Sequence, residues 1–521
     1  MPLLRVARAA VLPLALLLAF AVPASAQSGA GVVRFAKAAE SSFDVFTSAP
    51  TVEQQAWMRA HYARMRAYSP YFDSRLGWFP DAWAYQDAYA AYRGQALATQ
   101  HPEWILKDAQ GNKLYIPFGC SGGVCPQYAA DFGNQAFRDW WISQAAATMA
   151  KGYRGLFVDD VNMEWRVGDG SGQFVAPQDP RTGTTMTEAN WRRYMAEFTE
   201  QIHQALPGKE IVHNAVWYAG CGQTADSCWA DPYIRRELQA ADVVELERGI
   251  NDGGITGGGG RFGYDTFMAR VDWLHTQGKG VIYDAQASTP AAREYGLASY
   301  FLTSTGTDYL GNDPAGTPTD WWTGYDVNLG APQTGRYTWN NLLRRDYQNG
   351  YVLVNKPGHG RQSVQLPSGA TGPDGSPRSA VDLDGGQGAV VVTSAGDPAV
   401  LPTRTEVFPR PNPASPQGAG GQAPAAAERP RARPGRRLAH AVLVRGRVRN
   451  ARSGRVRIRL QRRGTHRWFQ VRHARALVRH GRFRRIFRGL RPGRFRVHAT
   501  YMGSPRARVS ASHLRRFRIR R

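Results

Sequence analysis

Residues 152–162 read GYRGLFVDDVN, and within them the apolar run Gly155–Val158 ends directly at two carboxylates, Asp159 and Asp160. The run is short and β-rich, whereas the preceding segment, Gln135–Lys151, has the apolar spacing of an amphipathic helix. The same alternation of short strand and longer helix continues on both sides of this stretch. It is the pattern expected of βα units around a parallel sheet.

Eight apolar runs of this kind occur, and they predict an α/β fold, a (β/α)8 TIM barrel with loop insertions. A doubly wound sheet is the alternative. Against it, no Gly-x-Gly-x-x-Gly follows the first strand, and Gly257–Gly260 lacks the Lys-Ser/Thr of a phosphate loop. The predicted helices are Gln54–Tyr68, Gln135–Lys151, Thr187–Leu206 and Phe267–Thr276. The predicted strands are Phe43–Phe46, Ala82–Tyr85, Gln127–Ala130, Gly155–Val158, Glu210–His213, Asp242–Leu246, Gly280–Tyr283 and Ser299–Thr303.

The amino-terminal 26 residues have the three parts of a secretory signal peptide. Arg5 and Arg8 precede the apolar run Ala9–Val22, and Ala24–Ala26 forms an A-x-A cleavage site. A membrane anchor is the alternative, but the run is shorter than the roughly 20 residues that span a bilayer. We therefore predict a signal peptide over 1–26 and a secreted, extracellular or cell-surface protein.

Composition divides the remaining chain into four parts. We predict the catalytic barrel over 27–357, a small β appendage over 358–401, a Pro/Ala/Gly-rich linker over 402–435 and an Arg-rich antiparallel β-sandwich over 436–521. In the last part Arg alternates with Val, Ile, Leu or Phe, a period-two pattern that buries one face of a sheet and leaves the other solvated.

The net charge of +25 comes from the carboxyl-terminal part of the chain. Residues 431–521 contain 31 Arg, no Lys and no acidic residue, while the rest of the chain carries 35 basic and 41 acidic residues. No nucleic-acid partner is predicted, because these Arg residues alternate along strands and do not accompany an aromatic stacking motif. Two interpretations stay open: a solvated basic face, or binding of an anionic cell-envelope or matrix polymer through residues 436–521.

The chain has four cysteines in two close pairs, Cys120 with Cys125 and Cys221 with Cys228. In an exported protein such pairs predict two local disulfides that shape loop tips. A zinc site is the alternative, but the two pairs are far apart in sequence and no His flanks them at ligand spacing.

Polar side chains end the predicted strands at nearly every point where an apolar run stops. In a barrel these positions meet at the carboxyl-terminal face, where chemistry takes place. One acidic strand end is more often a helix cap or a turn residue, but six consecutive strands ending in this way favour a site. The residues are Asp87, Asp131, Asp159, Asp160, Asn214, Glu247 and Asp284.

Several carboxylates ringed by Trp and Tyr, with no Cys or His cluster, suit a carbohydrate site. Aromatic faces stack on sugar rings, carboxylates accept hydroxyl hydrogen bonds, and two carboxyls divide the acid and nucleophile duties of glycoside hydrolysis. No cofactor and no metal are predicted. A hydrolase dependent on Mg²⁺ or Ca²⁺ is a weaker alternative, and the scarcity of His at the strand ends disfavours zinc.

The stretch Gly152–Asn162 resembles the strand-four signature of the hypothetical glycosyl hydrolase families, and the fifteenth of them in particular. The resemblance extends to Asp242–Gly249 on strand six, to Gly280–Asp284 and to the closing segment Arg344–Asn355, and it covers roughly residues 40–395. It implies a TIM barrel with glycosidase chemistry, but it implies no substrate.

Within that resemblance, Asp159 matches the nucleophile at the end of strand four, and Glu247 matches the acid/base on strand six. Strand alternation points Asp160 to the other side, so we assign it as a loop-side ligand or a helix cap. Glu245 shares the face of Glu247 but lies deeper, where it would raise the pKa of its neighbour. The other strand-end residues, including Asn214, are candidate substrate ligands.

The sequence therefore predicts a secreted glycoside hydrolase that acts on a poly- or oligosaccharide with an Asp/Glu pair, by a retaining mechanism. Two alternatives come from other classes of protein. One is a catalytically inactive barrel that binds glycans as a lectin does. The other is a surface protein whose activity is polymer binding by the basic tail.

Overall fold

The computed structural model describes residues 29–38, 47–222, 225–251, 255–285, 287, 289–311, 317–393, 404–411, 442–449, 453–464, 467–502, 510–512 and 514–519. Within these ranges eight parallel strands close into a barrel surrounded by helices, which confirms the predicted TIM barrel. The last strand pairs with the first. The barrel strands are β1 (Phe35–Ala38), β2 (Tyr62–Ala67), β3 (Ala82–Asp87), β4 (Gly155–Asp159), β5 (Glu210–Val216), β6 (Val243–Glu247), β7 (Gly280–Asp284) and β8 (Tyr309–Gly311).

Among the described residues six longer helices flank the barrel, and most begin at a side chain that caps the free N–H groups of the first turn. Thr51 and Gln54 form a capping box on α1, and Thr187 caps α3. Among the residues described, no helix is both long and apolar enough to cross a membrane. The helices are α1 (Val52–His61), α2 (Gln135–Met149), α3 (Glu188–Ala205), α4 (Pro232–Ala240), α5 (Tyr264–Thr276) and α6 (Pro290–Thr303).

Two apolar cores hold the barrel together. The larger one lies between the strands and the outer helices and includes Trp191 and Phe267. The smaller one fills the barrel interior with inward-facing residues, among them Trp83, Phe157 and Ile282. A packed interior closes the barrel below its mouth, so any ligand site must be built on the loops and strand ends.

The first half of the barrel differs from the prediction at two strands. The predicted helix Gln54–Tyr68 ends at His61 and continues as β2, whose inward Arg64 and Arg66 are compensated by distant carboxylates that local sequence does not reveal. Gln127–Ala129 is a strand, but it pairs with Ala90–Tyr92 outside the barrel, in a loop excursion after β3.

The two ends of the barrel also need correction. The predicted strand Ser299–Thr303 is the last turn of α6, and β8 is the eighth strand instead. The predicted strand Phe43–Phe46 lies outside the described residues, and β1 occupies the first position in the barrel.

An antiparallel sheet follows the barrel and packs on α6. It contains β9 (Tyr337–Trp339), β10 (Leu342–Tyr347), β11 (Gly350–Asn355) and β14 (Gln387–Val392), and a separate hairpin is formed by β12 (Gln362–Gln365) and β13 (Ala380–Leu383). Glu294 of α6 accepts hydrogen bonds from the Val390 backbone N–H and from Arg378. The predicted β appendage therefore shares a sheet with residues 337–355, which were assigned to the barrel.

The Arg-rich part forms a continuous, curled antiparallel sheet in the order β15-β16-β19-β18-β17-β20, with β21 and β22 both paired to β20. Its apolar side chains alternate with Arg, as predicted, and form their own core. Strand β15 lies inside the predicted linker and is an edge strand, where its prolines are tolerated. The strands are β15 (Arg404–Pro411), β16 (Val442–Arg449), β17 (Ser453–Arg463), β18 (Trp468–Arg479), β19 (Arg482–Phe487), β20 (Gly493–Tyr501), β21 (Ser510–Ala511) and β22 (Arg515–Ile519).

Candidate active site

One amide group connects the carboxyl ends of three neighbouring barrel strands. Asn214 Nδ2 on β5 donates to Asp159 Oδ1 on β4 at 2.6 Å and to Glu247 Oε2 on β6 at 3.3 Å. Each residue lies an even number of positions beyond an interior core residue of its own strand, so all three face the barrel axis. The structure thus brings the two carboxylates proposed from the sequence together on a shared donor.

The Asp159 carboxylate has two further hydrogen-bond donors. The Tyr85 hydroxyl donates to Oδ2 at 2.5 Å, and the Asp160 backbone N–H donates to Oδ1 at 2.9 Å. Both oxygens are therefore held, and the orientation of the group is fixed. Tyr85 was not among the site residues taken from the sequence, although it lies two positions before Asp87 and alternation places both on the inner face of β3.

Asp160 lies where the chain turns sharply after β4. Its φ of 55° is in the left-handed region, so strand alternation no longer governs its side chain. The carboxylate accepts a hydrogen bond from Asn162 Nδ2 at 2.7 Å. Burial, followed by repulsion from Asp159, raises the pKa of Asp160 to about 7.

Asp87 ends β3 in register with Asp159 on β4. Its Oδ1 accepts hydrogen bonds from the backbone N–H groups of Tyr89 and Ala90 at 2.8 and 2.7 Å, so it stabilises the turn that leaves the strand. Burial, together with repulsion from Asp160 and Asp159, raises the pKa of Asp87 well above its usual range. Asp87 therefore stabilises the turn after β3 and also belongs to the acidic cluster.

A second layer of charge lies one step deeper in the barrel. Glu245 is 3% exposed, and its Oε2 is 3.3 Å from Arg66 Nη1. Burial raises the pKa of Glu245 to about 8; Arg66 opposes this shift, while Asp284 and Asp159 add to it. Asp284, at the end of β7, is also buried. Arg66 was missed because its strand was predicted as helix.

Asp131 does not belong to this cluster. It follows Gln127–Ala129, which is not a barrel strand, and both of its oxygens accept from Arg181 Nη1, at 3.0 and 2.9 Å. Arg181 also contacts Asp179. The proposed ligand role of Asp131 rested on a misplaced strand, and the structure gives the residue a structural ion pair instead.

The sequence matches the family described as Hypothetical glycosyl hydrolase family 15 over residues 70–351, which is more than half of the chain. The chain belongs to this family. The matched segment runs from the loop before β3 to β11, so it contains the acidic cluster and excludes the Arg-rich sheet. None of the curated proteins matches the sequence.

Three solved structures are similar to the family 15 chain. The glycoside hydrolase domain of PelA from Pseudomonas aeruginosa is 16% identical over 56% of this chain and 96% of that one, with a TM-score of 0.32. An α-galactosidase from Thermus thermophilus is 13% identical over 57% and 60%, with a TM-score of 0.34. The isomalto-dextranase of Arthrobacter globiformis T6 is 11% identical over 89% and 94%, with a TM-score of 0.37. These similarities are of fold only.

Both disulfides of the family 15 barrel lie in loops at the mouth. Cys120 is bonded to Cys125 in the excursion after β3, and Cys221 is bonded to Cys228 in the loop after β5, which confirms both predicted pairs. The two crosslinked segments follow β3 and β5, the strands on either side of the one that carries Asp159.

Aromatic rings are exposed at the same end of the barrel. Tyr68, 43% exposed, lies after β2 with its ring 4.9 Å from that of Tyr85. Phe262, 40% exposed, lies in the loop after β6 and meets the Tyr218 ring edge-on at 4.7 Å. Such half-exposed faces are suited to stacking against sugar rings.

Proposed function

We propose that this protein is a secreted glycoside hydrolase that cleaves an O-glycosidic bond of a poly- or oligosaccharide, with Asp159 as nucleophile and Glu247 as acid/base. The observation that carries the proposal is the Asn214 amide, which contacts both carboxylates. Membership of a glycosyl hydrolase family supplies the reaction class. The cluster supplies two carboxyls on opposite sides of one donor.

The spacing of the two groups favours a retaining mechanism. Asp159 Oδ1 and Glu247 Oε2 cannot be farther apart than the sum of their distances to the shared nitrogen, 2.6 and 3.3 Å. Retaining enzymes hold their carboxyls about 5–5.5 Å apart, and inverting enzymes need roughly 6.5–9.5 Å to admit a water molecule. This bound applies to one pair of oxygens, and it supports the shorter carboxyl spacing of a retaining enzyme.

The two carboxyls have environments that suit different roles. Asp159 is fixed by three donors, as a nucleophile must be to attack along one direction. Glu247 is more open, with a side chain 31% exposed, and it has access to water for the proton it must give and regain. Arg248 Nε lies 3.8 Å from Glu247 Oε1.

The remaining acidic residues would stabilise the transition state through charge. Glycoside hydrolysis passes through an oxocarbenium-like state that carries positive charge on the sugar. Asp87, Asp160, Glu245 and Asp284 surround the pair with carboxyl groups. The opposing charges near them include Arg66, Arg166 and Arg248. We assign Asp87, Asp160, Asn214 and Asp284 to substrate binding, with Tyr68 and Phe262 as stacking faces.

Asp160 is the competing candidate for the acid. Its pKa of about 7 is close to the value that a general acid needs at neutral pH, and it adjoins the nucleophile. Its hydrogen bond to Asn162 leaves it less free to reach a leaving group than Glu247. Comparing the two variants Glu247→Gln and Asp160→Asn separates these assignments.

The alternative of an inactive glycan-binding barrel would be favoured by a wide separation of the two carboxylates, or by burial of either one away from the mouth. Neither condition fits a pair that shares one amide donor. Secretion is supported by the signal-like amino terminus, which lies outside the described residues, and by the two disulfides.

The test is hydrolysis by the chain that begins at residue 27. Purified protein is incubated with a panel of bacterial exopolysaccharides and oligosaccharides, and product sizes are read by mass spectrometry, with Asp159→Asn as the negative control and Asp131→Asn as the matched control. We expect the matched control to be active and the first product, followed by NMR, to retain its anomeric configuration. An inverted first product would reject Asp159 as nucleophile, and products that persist in Asp159→Asn would reject the site.

A further inference from the structure

The Arg-rich sheet opens along one seam, between β18 and β19. These strands are consecutive and joined by a tight turn at His480 and Gly481, both with positive φ. Within the described residues they pair at a single position, Arg479 with Arg482. Beyond it β18 pairs with β17 and β19 pairs with β16, so the two strands diverge and leave a cleft.

This cleft has a volume of about 1000 Å³ and is lined mainly by arginine. We call it the arginine cleft. A second cavity of about 700 Å³, which shares Arg475 and Arg485 with it, adds His473 and further arginines. The defining side chains of the arginine cleft are all exposed: Arg445, Arg447, Arg475, Arg482, Arg484 and Arg485.

The arginines face one another across paired strands. Arg445 lies directly opposite Arg484, and Arg447 directly opposite Arg482, on β16 and β19. Like charges at directly opposed positions destabilise a sheet. Residues 431–521 contain no acidic residue, and the one acidic position on the neighbouring β15, Glu406, lies opposite Arg447. Arg445 and Arg484 have no acidic residue directly opposite them on a paired strand within the described residues. An anion from outside the sheet would remove the repulsion.

Alternation alone places the outward arginines of paired strands opposite one another, so it is the concave seam that distinguishes this region from a flat solvated face. Here the arginines border a concave seam between β18 and β19. Along this seam the facing edges of the two strands have backbone groups that do not pair with each other. Successive outward residues on a strand repeat at about 6.6–6.8 Å, so the guanidinium groups form rows of regularly spaced charge. Planar guanidinium groups bind carboxylates through two parallel hydrogen bonds.

We propose that the arginine cleft binds a linear acidic polysaccharide that carries carboxylates on successive sugars. A single-stranded nucleic acid would need ring faces on which bases stack. The aromatic residue lining the cleft, Phe483, is only 4% exposed. The cleft therefore presents rows of positive charge, and its lining has no exposed aromatic ring on which a base could stack. This binding does not depend on the proposed hydrolysis, because the cleft lies outside the family 15 match.

The test is binding of the full chain from residue 27 to immobilised polygalacturonate, with neutral dextran and duplex DNA as comparison surfaces. The cleft variant replaces Arg445, Arg447, Arg482 and Arg484 by Gln. The matched control replaces four exposed arginines elsewhere in the sheet, Arg494, Arg515, Arg516 and Arg518, by Gln, and so removes the same charge. Both are compared in low and high salt, because charge-driven binding weakens as salt rises.

We expect wild type to bind polygalacturonate but not dextran, and the cleft variant to bind about 100-fold more weakly. The matched control should lose no more than about threefold. Equal losses in the two variants would overturn the cleft as a site and leave only diffuse charge. Tighter, cleft-dependent binding of duplex DNA than of polygalacturonate at the same salt would overturn the ligand class.

A folding defect is distinguished by a second variant. Replacing the same four cleft arginines by Lys retains the charge but removes the paired hydrogen bonds, so we expect intermediate affinity. Polygalacturonate should also raise the melting temperature of the wild-type sheet and leave that of a folded cleft variant unchanged. Wild-type affinity in the Lys variant together with an unshifted wild-type melting temperature would contradict the proposal.

Discussion

The carboxyl-terminal and amino-terminal ends of the barrel both hold buried carboxylates, but their electrostatic settings are opposite. At the carboxyl-terminal end Glu245 and Asp160 lie among other acids, and burial raises the pKa values to about 8 and about 7. At the amino-terminal end Glu210 accepts hydrogen bonds from Arg64 at 2.8 and 2.6 Å and from Trp83 at 2.9 Å. There, although burial opposes it, these donors lower the pKa of Glu210 to about 2.

This difference separates the part of the barrel that can perform chemistry from the part that holds it closed. Glu210 is paired with Arg64 and Arg154, so its carboxylate stabilises the fold and its charge is already neutralised within the protein. In the acidic cluster carboxylates outnumber the nearby arginines, which is a strain on the fold, and a positively charged transition state would be stabilised there. Stability and reactivity are thus assigned to opposite ends of the same strands.

The largest expected effect is on turnover at the carboxyl-terminal end. We predict that Asp159→Asn and Glu247→Gln each lower the rate of hydrolysis by about 10²–10⁴, the range for loss of a catalytic acid or base. The melting temperature should stay within a few degrees, because shape is conserved and like-charge repulsion falls. Rates and thermal melts of the two variants check this, and near-normal turnover in either would contradict its role.

At the amino-terminal end we expect the opposite result, a loss of stability without a loss of activity. Glu210→Gln leaves Arg64 and Arg154 without their carboxylate, so we predict a loss of about 3 kcal/mol in the free energy of unfolding. Activity per folded molecule should be unchanged. Chemical denaturation measures the free energy of unfolding, and rates normalised to the folded protein measure the activity per folded molecule. A stable but inactive variant would contradict both expectations.

The two ends should also respond to pH in opposite directions. Glu210 has a lowered pKa, so its contribution is complete above the ordinary value of 4.5 and is lost as pH falls towards about 2. Glu245 has a raised pKa, so stability falls as pH rises from about 4.5 to about 8, where the unfolded chain has already released its proton. We predict that Glu245→Gln flattens the melting temperature on the alkaline side only. If Glu245→Gln flattened the dependence of the melting temperature on pH at acid pH only, the loss of stability at alkaline pH could not be assigned to Glu245.

The smallest effect is expected at Asp131. Asp131→Asn removes one carboxylate from Arg181, which keeps its contact with Asp179, so we predict a loss of about 1 kcal/mol in stability. Turnover should stay within about threefold of wild type, because the residue lies in the excursion after β3 and not at a barrel strand end. A loss of activity as large as that of Glu247→Gln would return Asp131 to the active site.

The sequence selected residues that lie together in the structure, although it misplaced some of the strands. Asp159, Asn214 and Glu247 were selected because each ends an apolar run, and the roles of Asp159 and Glu247 came from the family resemblance. Strand β2 was missed because its inward arginines are paired with Glu210 and Glu245, which lie far along the chain. Local patterns contain no information about such partners.

The other errors have the same origin in long-range structure. Ser299–Thr303 is apolar because it is buried on both sides as helix, and length alone could not distinguish it from a strand. Gln127–Ala129 is a true strand with a local partner, Ala90–Tyr92, so its pattern was read correctly and only its place in the barrel was wrong. The Asn214 bridge depends on the barrel order, which no single segment specifies.

The Asn214 side chain has one NH₂ group, and in the described structure both carboxylates of the pair draw on it. The NH₂ group has two hydrogens, one for each carboxylate, so a movement of the amide towards one carboxylate changes its hydrogen bond to the other. Replacing either carboxylate should therefore alter the position of Asn214 and with it the orientation of the remaining carboxylate. The effects of the two single substitutions on turnover should consequently not be additive.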